Sequence, residues 1–126
     1  MVGDQRGHPA AIEVTEALVK VTIESWRFCR LFGRLLERID VTEQQRYNNQ
    51  FSYYRKSLEE TLASVGLQLV NLEGQPYDAG FAAQAINAGD FGADDELVVE
   101  QMLEPIVMGP DGLVKSGVVV LGKMVK

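Results

Sequence analysis

The sequence is poor in the residue types that catalytic and metal sites draw on most. Its 126 residues include one histidine and one cysteine. A lone cysteine, Cys29, excludes an internal disulfide and any cysteine-built zinc site. The histidine, His8, has only Asp4 near it at ligand spacing and reads as a solvated residue of the N-terminal segment. No apolar run approaches the ~18 residues of a membrane span. Residues 1–7 lack the basic-then-apolar order of a signal peptide, so the cytoplasm is the expected compartment. No Walker-type or dinucleotide glycine pattern occurs. Asp94-Asp95-Glu96 is the densest group of acids, but without calcium-loop spacing it reads as a solvated turn. Cys29, beside an apolar helical stripe and without a candidate base, reads as a small hydrophobe. Nothing positive supports an enzyme, a cofactor or a metal centre.

Basic residues are scarce in one half only. Residues 1–65 hold nine acids and nine bases, whereas residues 66–126 hold nine acids against Lys115, Lys123 and Lys126. The net charge of −6 therefore belongs to the second half. Such a surface repels phosphate backbones and argues against nucleic acid as a partner; a basic protein surface suits it better.

What is present is strong helical periodicity followed by extended chain. Leu18, Val21, Ser25, Phe28, Phe32, Leu35 and Ile39 alternate spacings of three and four, the mark of a helix with a heptad-like seam. Ala17, Leu31 and Leu36 broaden it. Over residues 9–39, with Pro9 in the first turn, this helix would be roughly 45 Å long, more than a chain this small can cover alone. Arg27, Arg30, Arg34 and Arg38 form a basic stripe, read as a solvated face in preference to a docking strip. Thr42-Glu43-Gln44-Gln45 matches a capping box that restarts helix. Tyr47, Phe51, Tyr54, Leu58, Leu62 and Val65 then share one side of a second helix, and Gly66 is placed to stop it. A short link makes an antiparallel hairpin. Two hairpins from two chains would bury both seams as a four-helix bundle, which places Leu18, Val21, Phe28, Phe32, Leu35, Ile39, Phe51, Tyr54 and Leu58 at a homodimer interface.

After Gly66 the pattern becomes β. Residues 67–70 read as a short strand and residues 74–78 as a turn. Residues 81–86 are a small apolar stretch, followed by a Gly- and Asp-rich loop through Asp95. Residues 96–108 read as extended chain with Pro105 at an edge or bulge. Gly109-Pro110-Asp111-Gly112 is a turn. Residues 113–121 read as one strand, buried on both faces near its end. The expected class is α+β: a tail over residues 1–8, a dimerising helical hairpin over residues 9–65 and a compact β-rich domain over residues 66–126.

From about residue 30 to residue 123 the chain resembles the C-terminal part of GrpE-type nucleotide exchange factors, co-chaperones of Hsp70. Val65-Gly66-Leu67-Gln68-Leu69-Val70 is similar to the family's Phe-Gly-Val-x-x-Ile. Gly74-Gln75-Pro76-Tyr77-Asp78 resembles its Gly-x-Pro-Phe-Asp turn, Ala83-Gln84-Ala85-Ile86 its His-Glu-Ala-Val segment, and Leu36-Glu37-Arg38 the end of its first helix. The departures are specific. The family histidine is Ala83, a Lys-Gly-Tyr element is Glu104-Pro105-Ile106, and Arg-Pro-Ala is Lys115-Ser116-Gly117. An arginine after the turn glycine is deleted, and most of the long N-terminal coiled coil is missing.

The resemblance implies a β-wing that binds the ATPase domain of an Hsp70-type chaperone and promotes ADP release, with no nucleic acid or membrane involved. It implies contact roles for Met102, for the turn glycine Gly112, for Leu121 in the closing strand, and for Gln50, where the family has a contact glycine. For Met102, packing inside the sheet is the alternative. The acidic excess adds Glu100 and Glu104 at the edge of that interface. Two rival functions are a dimeric adaptor of the same fold without exchange activity and a small metal-dependent enzyme.

Overall fold

The computed structural model describes residues 11–125. The tail expected over residues 1–8, with His8, lies outside them, as does Pro9. The architecture is α+β: two long helices, then two small three-stranded sheets. Helix α1 spans Ala11–Leu36 and α2 spans Val41–Ser64.

The link between them departs from the capping-box expectation. Asp40 is the N-cap of α2, with no side-chain cap bond, and Thr42 already lies inside the first turn. Gln44 works backwards instead: its Nε2 donates to the Leu36 carbonyl at 2.6 Å, satisfying one of the free carbonyls at the end of α1. The other end of α2 closes as read. Gly66 takes φ +79°, Leu67 N–H donates to Leu62 O at 2.9 Å and Gly66 N–H to Ala63 O at 3.0 Å. This is the paired-bond termination that a left-handed glycine permits, with Leu62 and Leu67 in hydrophobic contact beneath it.

Six strands follow: β1 (Gln68–Val70), β2 (Ala83–Ala85), β3 (Leu97–Glu104), β4 (Ile106–Gly109), β5 (Gly112–Lys115) and β6 (Gly117–Lys123). One sheet runs β1-β4-β5 and the other β2-β6-β3, with β2 and β6 parallel and the other pairs antiparallel. The chain passes between sheets three times, after β1, β3 and β5. Pro105, which has no N–H to give a ladder, separates β3 from β4. Ser116 separates β5 from β6, so residues 113–121 are not one strand but parts of two. The reason lies at Gly117, where a Cβ would come within 2.7 Å of Met102 Cε and 2.9 Å of the Glu104 carbonyl. Only glycine lets the two corners approach so closely. Nor is β6 buried on both faces: Gly117, Val119 and Leu121 point inward, while Val118 and Val120 are half-buried on the other side.

Two apolar clusters hold the fold. Leu72, Val99, Met102, Ile106, Val119 and Leu121 form one, with Trp26 of α1 against it. Val19 and Ile23 of α1, Leu62 of α2, Leu67 and Val107 of β4 form the other. The second cluster crosses the boundary drawn between residues 65 and 66, so α1 serves as backing for both sheets.

Candidate partner-binding surfaces

Helix α1 has two apolar faces. The inner one, Val19, Ile23 and Trp26, continues at Arg30 with spacings of four, three and four, and points at the sheets. The other lies nearly opposite on a 3.6-residue period. It exposes Val21, Phe28, Leu31 and Leu35, each 60% exposed or more. Across it stand Tyr47 and Tyr54 of α2, also exposed. Phe32 bridges the helices, its ring 6.1 Å from Phe28 and 5.3 Å from Phe51. Beside these rings lies a groove of about 380 Å3 that Gln50 also lines. Contiguous exposed aromatic and aliphatic side chains of this kind mark an interaction surface.

The expected dimer positions therefore divide. Val21, Phe28, Leu35 and Tyr54 are exposed, and Phe32, Ile39 and Phe51 are half-buried. Leu18 and Leu58 instead pack against the second core cluster within the chain. Both are half-buried, as Phe32, Ile39 and Phe51 are. They sit at the flank of the seam, where α1 and α2 close over sheet β1-β4-β5.

The expected β-unit contacts divide too. Gly112 adopts φ +119° at the β4–β5 turn, with open space beside it. Gln50 and Glu100 are exposed. Met102 is 0% and Leu121 2% exposed, so both belong to the core and not to a contact surface. In a regular strand Val99 and Met102 would face opposite sides. Register shifts between Val99 and Gln101 and between Met102 and Glu104 bring both inward, opposite Leu121 and Val119. Met102 is further fixed by its Sδ, which accepts the Leu72 N–H at 3.2 Å.

Glu104 is occupied within the chain and not free for a partner. Its Oε2 lies 2.7 Å from Arg27 Nη2 and its Oε1 3.5 Å from Lys115 Nζ. A second cluster lies alongside. The Glu73 carboxylate accepts from Arg30 Nη2 and, at 2.8 Å, from the Met102 N–H, filling the bulge in β3. Burial alone would push the Glu73 carboxyl up. The bonds from Arg30 and Met102 and the charges of Arg30 and Arg34 outweigh it and hold the group below the usual carboxylate range. The basic stripe on α1 is thus not simply a solvated face: Arg27 and Arg30 tie the helix to the β unit. The acids of residues 66–126 are in part their counter-charges.

Trp26, Glu73 and the inner stripe of α1 were not singled out from the sequence. A second apolar series, Val19-Ile23-Trp26, was the available signal, masked by the longer seam beside it. Helix α2 buries only Leu62 fully.

With Met102 and Leu121 inside, the half-buried apolar residues on the other side of sheet β2-β6-β3 are Val118 and Val120 of β6 and Val98 and Leu103 of β3. They pack against neither core cluster. Among the described residues no group of three His, Cys, Asp or Glu side chains is arranged to hold a metal ion. No helix among them is long and apolar enough to cross a membrane. Comparison with family models, with curated proteins and with solved structures finds no match.

Proposed function

We propose that this chain is a GrpE-type nucleotide exchange factor, acting as a homodimer on the ATPase domain of an Hsp70-type chaperone. One observation supports this above all: a helical hairpin with an unpartnered apolar face, Val21, Phe28, Leu31 and Leu35, carries a six-stranded β unit on its opposite side. That is the division of labour the resemblance implies, dimerisation by helices and presentation of a β surface. The two exposed stripes together form a four-helix bundle with those of a second copy. The β surface that meets the chaperone is the outer side of sheet β2-β6-β3, with Leu103, Val118 and Val120 at its centre and Glu100 at its rim.

No residue of the factor needs to touch nucleotide. A partner that binds the open ATPase cleft better than the closed one shifts the equilibrium by its differential affinity. About 1.4 kcal/mol of preference weakens ADP tenfold. The test is release of fluorescent ADP from the Hsp70 homologues of the source organism. Wild type accelerates it, and Val120→Glu, which charges a half-buried outer position, slows it while leaving the melting temperature and dimer intact. A folded Val120→Glu dimer as active as wild type would move the contact surface elsewhere.

An adaptor of the same fold without exchange activity is the second reading. It is favoured by Ala83 in place of the family histidine and by Glu104, which stands in the substituted Lys-Gly-Tyr element and is held by Arg27 and Lys115. A dimeric wild type that binds an Hsp70 yet leaves ADP release unchanged would establish it.

A further inference from the structure

The hairpin is not sealed on the side that faces the β unit. A cleft of about 800 Å3 opens there between α1 and α2, with Leu69 and Asn71 at one end. Interhelical seams are ordinarily apolar, yet beside Phe51 and Leu58 α2 lines this one with four polar residues, Gln44, Asn48, Ser52 and Arg55. Spaced by four, four and three, these fall on one stripe of the helix. Arg30 and Arg34 enter from α1. Three guanidinium groups thus share one cleft in a chain of net charge −6.

Only Arg30 is neutralised there, by Glu73. Arg34 and Arg55 make no ion pair with any described residue. Both are exposed, and both line the cleft. The positive charge of Arg34 acts on Glu73. Burial pushes the Cys29 thiol up, and Arg55, coming from the other helix, pulls it the opposite way. Arg55 also lies over the Phe51 ring, 5.6 Å from its centroid. Glu37 and Glu59 line the cleft as well, exposed like the two arginines, and neither is ion-paired with a described residue. Like charges brought together from two helices repel unless a counter-anion stands between them. The planar, forked guanidinium suits a tetrahedral oxyanion, and the amide and hydroxyl groups of Asn48 and Ser52 supply neutral donors beside it.

We propose that this cleft is a binding site for a small phosphate-bearing molecule, gripped between Arg34 and Arg55. It stands independently of the exchange-factor reading, because it lies on the hairpin and not on the outer side of sheet β2-β6-β3.

The sequence contains its own reporter. Trp26 is the single tryptophan, lines the cleft and has the Arg30 guanidinium 4.9 Å from its ring centroid. Pyrophosphate and orthophosphate, titrated into the full chain at constant ionic strength set with chloride, should each give a saturable change in Trp26 emission. Pyrophosphate should bind the tighter. The double variant Arg34→Gln/Arg55→Gln should bind pyrophosphate at least about tenfold more weakly, the scale of a lost charge-assisted contact. Far-UV circular dichroism checks that it is folded. If it is not, Arg55→Lys, which keeps the charge and loses the fork, should still weaken binding severalfold. A linear, non-saturating emission change would overturn the proposal, as would unaltered affinity in a folded variant. So would saturable binding of an oligo-glutamate peptide with none of pyrophosphate, which would assign the cleft to a protein segment.

Discussion

Met102→Ala separates a core role from a contact role in one protein. The Met102 side chain is fully buried, and its Sδ accepts the Leu72 N–H. Truncation removes three heavy atoms from a cluster that includes Val99, Val119 and Leu121, and lost burial at about 0.8 kcal/mol per methylene-sized group comes to a little over 2 kcal/mol. The residual cavity and the orphaned Leu72 N–H bring the expected loss to about 3–4 kcal/mol. For a chain of this length that lowers the melting temperature by about 10–15 °C. Met102→Leu keeps most of the volume and loses only the sulfur acceptor, so its cost should stay near 1 kcal/mol. Urea denaturation followed by circular dichroism gives both numbers, since the two variants should shift the midpoint and leave the slope unchanged. A Met102→Ala protein as stable as wild type, but defective in binding an Hsp70, would refute the burial reasoning and return this side chain to the surface.

Four further outcomes follow from the same contacts. Wild type should sediment at twice 13.9 kDa at micromolar concentration, and Phe28→Glu, charging an exposed seam position, should give a folded monomer; a dimeric variant would remove the seam from the interface. Glu73 is held below the ordinary carboxylate range, so its contribution is present above the unfolded pKa and lost as pH falls through the folded one. Denaturation midpoints in acid should therefore drop more for wild type than for Glu73→Gln, and equal slopes would refute this. Gly66→Ala places a side chain at φ +79° with its Cβ 2.7 Å from Pro110 Cγ and should cost at least about 1 kcal/mol in urea denaturation, whereas no change would show the turn to be relaxed. Glu100→Gln should reduce the low-salt association rate with an Hsp70 and spare stability, while Glu104→Gln, which strands Lys115 and leaves Arg27 only Glu24 of its own helix, should do the reverse; stopped-flow binding and thermal melts distinguish them.

Much of the fold was legible because it depends on neighbours in the sequence. Alternating three- and four-residue spacings place one helix up to Ile39 and a second from Thr42 to Val65, since any such segment gains by lining up its apolar side chains; the structure ends the first at Leu36 and runs the second from Val41 to Ser64. Gly66 and Gly112 mark a helix end and a turn through the φ values that other residues rarely adopt, +79° and +119°. The extended segments around Pro105 were likewise readable, because proline removes a ladder donor wherever it stands. These are local properties of the chain.

What local spacing does not contain is which side of an element faces inward. Helix α1 carries two apolar faces, and only the position of the sheets buried Val19 and Ile23, half-covered Trp26 and left Val21, Phe28 and Leu35 in solvent. Period-two alternation gave no orientation for Met102, because the bulges in β3 add residues that one strand alone does not reveal. Residues 113–121 read as a continuous strand, but Gly117 must pass within contact of Met102 and the Glu104 carbonyl, and that steric demand exists only once β3 is in place. The arginine stripe became a set of ties because Glu73 and Glu104, far off in sequence, are brought beside Arg30 and Arg27. Charge and hydrophobicity are written in the sequence; the partners that satisfy them are set by packing, since a side chain's free energy depends on what surrounds it.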